Sequence, residues 1–93
     1  MLKRGRKKGE VTFVCDQRPH ASQVYLAGSF NNWDPQGQRM RRFKDGSFRT
    51  RLLLPPGDHQ FKYVVDGDWL IDPAADAQID NNAGSNNSVV LIG

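Results

Sequence analysis

Apolar and polar residues alternate along most of the chain beyond residue 9. The pattern is clearest in EVTFVCD, where Val11, Phe13 and Cys15 alternate with Thr12 and Val14. Further segments with strand-like patterning are residues 23–30, 48–54, 59–65 and the nearly all-apolar 88–93. A period of two is that of a β-strand, and no segment keeps the longer period of a helix. The pattern therefore predicts an all-β protein.

Turn residues separate the predicted strands. Two Asp-Gly dipeptides, at 45–46 and 66–67, lie between apolar segments and suit the positive φ angles of a type I′ hairpin turn. Between them LPPGDH, residues 54–59, predicts a third reversal, because two prolines end a strand and a glycine permits a turn. About seven strands joined by direct reversals predict an antiparallel β-sandwich of immunoglobulin-like type.

The segment DPAADAQIDNNAGSNN, residues 72–87, is predicted to be the one long irregular connection. A connection of this length in a compact domain is usually either functional or disordered. Its four asparagines favour tight turns and offer hydrogen-bond donors and acceptors. They are Asn81, Asn82, Asn86 and Asn87.

The length of 93 residues corresponds to one domain with a single core. Its formal net charge of +3 comes from the first ten residues, which hold five basic side chains and one acidic one. We expect residues 1–9 to form a disordered basic tail and residues 10–93 to form the domain. A basic arm can contact nucleic acid, but on an otherwise nearly neutral domain it is more often a solvated extension. Nucleic acid is therefore a disfavoured partner.

The single cysteine, Cys15, has no partner for an internal disulfide, which fits a reducing compartment. No apolar run approaches the roughly 20 residues that span a bilayer. The apolar segment that follows the basic N-terminal residues, VTFVCD, is too short for a signal peptide. These features predict a cytoplasmic protein without a membrane anchor.

Catalysis and metal binding are not predicted. His20 and His59 fall in turn sequences and are interpreted as exposed loop residues, and Cys15 falls inside a strand pattern. The acidic residues of VDGDWLID superficially resemble a calcium loop but lack its remaining ligands. We expect no enzyme activity, no cofactor and no metal site.

The two tryptophans, Trp33 and Trp69, both lie beside turns. A tryptophan in a loop either folds back onto the core or is held out for a ligand. With nearby amides and a lysine, exposed indoles would suit a sugar ring, whose apolar face stacks while its hydroxyls are hydrogen-bonded. The same groups would equally serve a peptide or a nucleotide base, so composition leaves the ligand open.

Three ordered motifs narrow this choice. VYLAGSFNNWD, LPPGDHQFKYVVDGDWLIDP and NNSVV together resemble the glycogen-binding domain of the AMP-activated protein kinase beta subunit. More broadly, residues 10–93 are similar to carbohydrate-binding module family 48, the early-set sandwich also found at the start of isoamylases and glycogen-branching enzymes. The resemblance implies non-catalytic binding of α-1,4-linked glucans such as glycogen, starch and maltooligosaccharides.

The resemblance also implies site residues. Trp33 and Trp69 match the family's two sugar-stacking tryptophans, Lys62 its ligand-contacting lysine, and Asn86 the asparagine that hydrogen-bonds glucose hydroxyls. Asn82 and Asn87 are additional candidates. Asn82 stands near the place of a leucine that projects into cyclic ligands in the kinase subunit, so a weaker preference for cyclic or branched glucans is expected.

Two other functions compete with glucan binding. The same surface or an open sheet edge could dock on a glucan-metabolising enzyme or kinase, which makes the domain a protein-interaction module that binds no sugar itself. The weaker alternative is nucleic-acid binding through the basic arm, which would fall steeply with salt concentration.

Overall fold

The computed structural model describes residues 1–81 and 84–93. Within these residues it contains ten β-strands and one turn of 3-10 helix, Ser29–Asn31. The strands are β1 Leu2–Arg4, β2 Glu10–Cys15, β3 Val24–Gly28, β4 Gln38–Arg39, β5 Arg41–Arg42, β6 Phe48–Leu53, β7 Gly57–Val65, β8 Asp68–Leu70, β9 Ala77–Asp80 and β10 Asn86–Ile92. The described residues include no helix long and apolar enough to cross a membrane.

The strands form two antiparallel sheets. One has four strands in the order β1-β2-β6-β5, and the other has six, in the order β4-β3-β7-β10-β9 with β8 also paired to β7. Strand β7 shares one of its edges between two partners, because β10 pairs with residues 57–61 and β8 with residues 63–65. The predicted all-β antiparallel sandwich is confirmed, with short additional strands beyond the seven expected.

The core lies between the two sheets and is built from the apolar residues that alternate along β2, β3 and β7. Phe61 is at its centre, where its ring meets Phe13 at 5.0 Å and Tyr63 at 5.6 Å, both edge to face. The residues of these three strands with no exposed surface are Val11, Phe13, Val24, Leu26, Ala27, Phe61 and Tyr63. Ala27 is the exception to the alternation, being buried although it faces the other side of its sheet. The period of two therefore identified most core positions correctly.

The two Asp-Gly turns differ. Asp66 and Gly67 have φ angles of 48° and 90°, and the pairing of Val65 with Asp68 makes a two-residue type I′ hairpin, as predicted. At the other turn only Gly46 has a positive φ, of 85°, and its N–H donates to the carbonyl of Phe43 at 3.0 Å. The type I′ turn predicted at residues 45–46 was wrong, although the hairpin itself forms. Its loop is one residue longer than a type I′ turn allows and closes as a type I turn with a glycine bulge.

Residues 54–56 connect the two sheets rather than two paired strands. Strand β6 pairs with β2 and β5, whereas β7 pairs with β3, β8 and β10. Prolines cannot donate the hydrogen bonds that would continue a sheet, so pairing stops before the chain crosses. The reversal predicted here is thus a crossing between layers.

The N-terminal residues are more ordered than expected. Leu2–Arg4 forms strand β1, which pairs with β2, and Leu2 packs against the core. The Arg4 guanidinium lies 2.5 Å from the Asp76 carboxylate and donates to the Leu91 carbonyl at 3.0 Å. The expectation of a disordered tail over residues 1–9 was wrong for this strand, because the free edge of β2 offers backbone partners that composition does not reveal.

The connection predicted to be irregular, residues 72–87, contains a strand. Residues 77–80 form β9, which pairs with β10, and β10 begins at Asn86. The irregular parts are therefore shorter than expected. Between β9 and β10 the Asn81 N–H donates to the Ser85 carbonyl at 3.1 Å.

The histidines and the cysteine occupy structural positions. His20 is exposed in a turn, as predicted, but His59 lies half-buried in β7 with its Nε2 2.8 Å from the Pro55 carbonyl, which corrects the loop assignment. Cys15 is buried, and burial raises the pKa of its thiol. A raised pKa disfavours the thiolate and hence nucleophilic reactivity.

Acid stability should depend on Asp66. Its carboxylate accepts the N–H groups of Gln23 at 2.8 Å and Ser22 at 3.1 Å, and these hydrogen bonds lower the pKa of Asp66 below its ordinary value. A lowered native pKa stabilises the fold above about pH 4, and this stabilisation is lost as the pH falls through the native pKa. Asp66→Asn keeps an oxygen that can accept these hydrogen bonds, but its side-chain amide does not ionise in this pH range. We expect thermal unfolding midpoints of Asp66→Asn to fall less steeply than wild type between pH 5 and 2.5, and superposable profiles would contradict this.

Candidate functional site

The surface of the six-stranded sheet that is turned away from the core, here called the outer face, carries the candidate site. Residues directly opposite each other on adjacent strands point to the same side of a sheet. The register of β4, β3, β7 and β8 therefore places four side chains in one row across the outer face. In order they are Arg39, Tyr25, Val64 and Trp69. We call this the aromatic row.

A second row crosses β7 at Lys62, two residues before Val64. Lys62 is paired with Ala27 on β3, and Asn87 on β10 continues the row, because its neighbour Ser88 is paired with Phe61. Lys62 and Trp69 are diagonal neighbours on the outer face, so the two residues are separated by roughly 7–8 Å and their Cβ atoms by somewhat less. The sheet thus holds a cation close to an indole.

Trp69 is displayed by the three-residue strand β8. Its partner Val64 is on the outer face, whereas the next residue, Leu70, pairs with Tyr63 and packs against the core. Alternation therefore forces the indole outward, and 44% of the surface of Trp69 is exposed. Of the two interpretations open for this tryptophan, the structure excludes burial in the core.

Trp33 is held by an unusual backbone. Asn32 and Trp33 have φ angles of 58° and 56°, in the left-handed region that large residues rarely adopt. The Asn31 side chain fixes this turn by accepting the Gly28 N–H at 3.0 Å and donating to the Leu26 carbonyl at 3.0 Å. The Trp33 N–H donates to the Gly28 carbonyl at 2.9 Å. Strain of this kind, of about 1–3 kcal/mol per residue, is common at ligand-binding sites.

The two tryptophans are held at different levels of the six-stranded sheet. Trp33 is anchored at Gly28, which pairs with Phe61, and Trp69 pairs with Val64. Three residues of β7 separate these levels, which is roughly 10 Å along the strand. Trp33 is half-buried, while Trp69 is more exposed. Lys62 lies at an intermediate level between them.

Lys62 belongs to a polar cluster that the sequence did not indicate as a unit. Its Nζ donates to the Ser85 hydroxyl at 3.3 Å, which also accepts from the Asn81 amide at 2.8 Å. Asn81 donates to the Asn87 side chain at 3.2 Å, and Asn87 donates to the Gln60 side chain at 2.9 Å. Gln60 lies two residues from Lys62 on the same face, a spacing that could have suggested it. Ser85 carries no such signal.

The candidate asparagines separate in the structure. Asn87 lies on the outer face within the polar cluster. Asn86 is exposed at the first position of β10, where strand alternation directs it to the other side from Asn87. The contribution of Asn86 to binding stays a prediction, and Asn87 is the amide placed beside Lys62. Asn82 lies outside the described residues.

The outer face has the properties of a binding surface. It is open, carries aromatic and amide side chains, and has one lysine near its centre. Among residues 1–81 and 84–93 no group of three or more histidine, cysteine or acidic side chains could hold a metal ion. The residues brought together here can stack on a ring and hydrogen-bond its substituents.

A solved structure shares the fold. The chain superposes on part of a maltogenic amylase from S. marinus with a TM-score of 0.78 and 22% sequence identity, covering 100% of this chain and 16% of the amylase chain. At this identity the likeness supports the β-sandwich alone.

Several proteins of known sequence are similar to the chain. Protein FLOURY ENDOSPERM 6 of rice is 43% identical over 71 residues, which cover 76% of this chain and 13% of the rice protein. Protein PTST homolog 2 of Arabidopsis thaliana is 38% identical over 72 residues, again 13% of its length. The 5'-AMP-activated protein kinase subunit beta-1 of pig is 36% identical over 70 residues, which cover 75% of this chain and 54% of the pig sequence. The chain therefore spans a small part of the two plant relatives.

A family model agrees with the motifs. The model described as the glycogen recognition site of AMP-activated protein kinase matches residues 11–92, nearly the whole chain. This match confirms the resemblance to carbohydrate-binding module family 48 that the motifs indicated. The chain therefore belongs to the family of AMP-activated protein kinase glycogen-recognition domains.

Proposed function

We propose that this domain is a non-catalytic module that binds α-1,4-linked glucans on its outer face. The observation that carries the proposal is the exposed indole of Trp69 held one diagonal step from Lys62 on a rigid sheet. Family membership supports the ligand class.

In this proposal Trp69 and Trp33 each stack on the apolar face of a glucose ring. Aromatic stacking contributes about 0.5–1.5 kcal/mol beyond the burial of apolar surface. The Lys62 ammonium and the neighbouring amides of Asn87 and Asn86 would hydrogen-bond hydroxyl groups and so set the register of the glucan chain. The polar cluster orients Lys62 before a ligand arrives, which lowers the entropy lost on binding.

The outer face is shallow, so affinity at one site should be modest. Water competes for every hydroxyl contact on an open surface, and stacking supplies most of the net gain. Glycogen and starch carry many chain ends, so tethering several domains would raise apparent affinity through avidity. With asparagine at position 82 we expect linear glucans to bind about as well as cyclic ones.

Calorimetric titration with maltoheptaose tests the proposal. We expect saturable binding of maltoheptaose and none of a β-1,4-linked glucose oligomer of equal length, because the linkage sets the spacing and tilt of successive rings. Absence of maltoheptaose binding at millimolar concentration would refute glucan binding.

Lys62→Ala tests the role of the cation in the same assay. We expect about three- to tenfold weaker maltoheptaose binding, because a hydrogen bond to a charged group contributes about 1 kcal/mol or more. Lys44→Ala, which removes an exposed lysine from the turn between β5 and β6, is the matched control and should bind as wild type. Equal affinities of the two variants would remove Lys62 from the site.

Association with a glucan-metabolising enzyme or kinase is proposed as the context of binding. The chain spans only 13% of its two plant relatives, and the pig relative is named as a subunit of a kinase. A module that supplies modest affinity gains from a tethered partner. A partner that remains bound at saturating maltoheptaose would support the interaction-module alternative, whereas a displaced partner would mean that partner and glucan compete for the outer face.

A further inference from the structure

A groove borders Trp69 on the outer face, on the side of Val64 away from Lys62. Its volume is about 230 Å³, below the roughly 300–1,000 Å³ typical of enclosed small-molecule pockets. A space of this size on an open surface suits one ring resting against its wall. Its lining residues are Gln23, Tyr25, Pro35, Gln36, Val64 and Trp69, together with the Asp66-Gly67 turn.

The aromatic row gives this groove two flat walls. Tyr25 and Trp69 both pair with Val64 and flank it, so their Cα atoms are two strand spacings apart, roughly 10 Å. Val64 is short and nearly buried, and it forms an apolar floor between two aromatic rings. This arrangement comes from backbone register, so both rings are attached on either side of Val64 before a ligand arrives.

Three polar side chains at the groove, those of Gln23, Gln36 and Tyr25, have no intramolecular partner among the residues that the structure describes, whereas the Asp66 carboxylate is held by backbone N–H groups. The main chains of both glutamines are fixed, since the Gln23 N–H donates to Asp66 at 2.8 Å and the Gln36 N–H to Asp34 at 2.9 Å. Their side-chain amides and the Tyr25 hydroxyl make no hydrogen bond within residues 1–81 and 84–93. In the polar cluster, by contrast, the amides of Asn81, Asn87 and Gln60 bond other side chains.

We infer that this groove is a further glucose subsite, which receives the ring following the one stacked on Trp69. The inference rests on the proposed glucan binding. Tyr25 and Trp69 provide apolar walls for the ring, and the amides of Gln23 and Gln36 reach its hydroxyls as both donors and acceptors. A glucan chain bound at Lys62 and Trp69 would then continue across the strands along the aromatic row, from Trp69 towards Tyr25.

Titration with a short and a long oligosaccharide distinguishes binding at this subsite from binding at Lys62. We would titrate wild type, Tyr25→Ala and Gln36→Ala with maltotriose and maltoheptaose by calorimetry. Because the subsite is filled only by a longer chain, both variants should bind maltoheptaose about three- to tenfold more weakly and maltotriose within twofold of wild type. Tyr25→Phe keeps the ring and should lose less than Tyr25→Ala.

Leu91→Ala is the matched control, since Leu91 is an exposed apolar residue on β10 of the same sheet but outside the groove. It should bind both sugars as wild type, and thermal unfolding would verify that all variants are folded. If wild type binds maltoheptaose and Tyr25→Ala binds it equally well, the subsite is refuted while glucan binding stands. Equal weakening for both sugars would also refute it, because Tyr25 would then support Trp69. If wild type binds neither sugar, both proposals fail.

Discussion

Replacing Trp69 with alanine is expected to weaken maltoheptaose binding ten- to thirtyfold, which corresponds to about 1.4–2 kcal/mol. The indole is 44% exposed in the free domain, so its remaining surface is available for burial against a sugar ring. Burying a large apolar side chain contributes about 1.5–3 kcal/mol when complete, and stacking adds to this. Calorimetry at a fixed domain concentration would measure the change.

Phe43→Ala provides the control for Trp69→Ala. Phe43 has a nearly identical exposure, 43%, but lies between β5 and β6 of the four-stranded sheet. General effects of removing an exposed aromatic residue should therefore appear in both variants, and loss of binding only in Trp69→Ala. Affinity within twofold of wild type for Trp69→Ala would remove the indole from the site.

The largest expected effect on stability follows from Asp72→Ala. Asp72 is 1% exposed, and its carboxylate accepts the Tyr63 hydroxyl at 2.8 Å and the Ala74 N–H at 2.9 Å, and also contacts the amine of Met1. Removing the carboxylate takes the nearer of two acceptors from the buried Tyr63 hydroxyl, which keeps only the Val14 carbonyl at 3.1 Å, and leaves unfilled space in the core. We expect a loss of about 3 kcal/mol in the free energy of unfolding, measured with urea.

Asp68→Ala is the surface counterpart of Asp72→Ala. Asp68 lies 3.4 Å from Arg18 in a pair whose two side chains are at least half exposed. Exposed ion pairs contribute little, so this variant should change the free energy of unfolding by less than about 1 kcal/mol. Equal effects of the two aspartate substitutions would show that burial of the Asp72 carboxylate does not matter.

Tyr63→Phe tests the same network through its alkaline behaviour. Burial, reinforced by the neighbouring Asp72 carboxylate, raises the pKa of the Tyr63 hydroxyl. Above about pH 10 the unfolded chain loses this proton while the native domain keeps it, so stability falls as the pH rises. This contribution should be absent in Tyr63→Phe, whose free energy of unfolding would decline by up to about 1.4 kcal/mol less per pH unit. Parallel alkaline profiles would contradict the role of Tyr63.

The longer strands and the core were predictable from sequence because their signals are local. Val11 and Phe13 in β2, and Phe61 and Tyr63 in β7, alternate with more polar residues, and all four are fully buried. The Asp66-Gly67 turn was predictable for a similar reason, since its dipeptide suits positive φ angles within two residues.

The short strands carried no such signal. All four residues of β9 are exposed, and β4 and β5 contain two residues each, so none has an apolar period to detect. The basic residues in and after β1 predicted disorder, but residues 2–4 are ordered by backbone pairing with β2. The stability of these strands comes from partners that lie far away in sequence.

The candidate site divides in the same way. Trp33, Lys62 and Trp69 were predicted as glucan contacts only through the resemblance of the motifs to a family, since composition left the ligand open. Tyr25 and Gln36 could not be found from sequence, because their relation to Trp69 arises from the register of β3, β7 and β8 and from the loop before β4. The separation of Asn86 from Asn87 likewise required the strand alternation of β10.

Local sequence patterns thus sufficed for the all-β class, the main strands and the type I′ hairpin, and the family was indicated by the resemblance of three motifs. Folding was needed to bring Tyr63 to Asp72, Lys62 to Ser85, and Tyr25 into line with Trp69. Side-chain alternation and turn preferences are properties of a few adjacent residues, so they can be read along the chain. Strand order and register depend on which distant segments pair so as to bury the most apolar surface. Alternative pairings are excluded only when the two sheets pack around their common core.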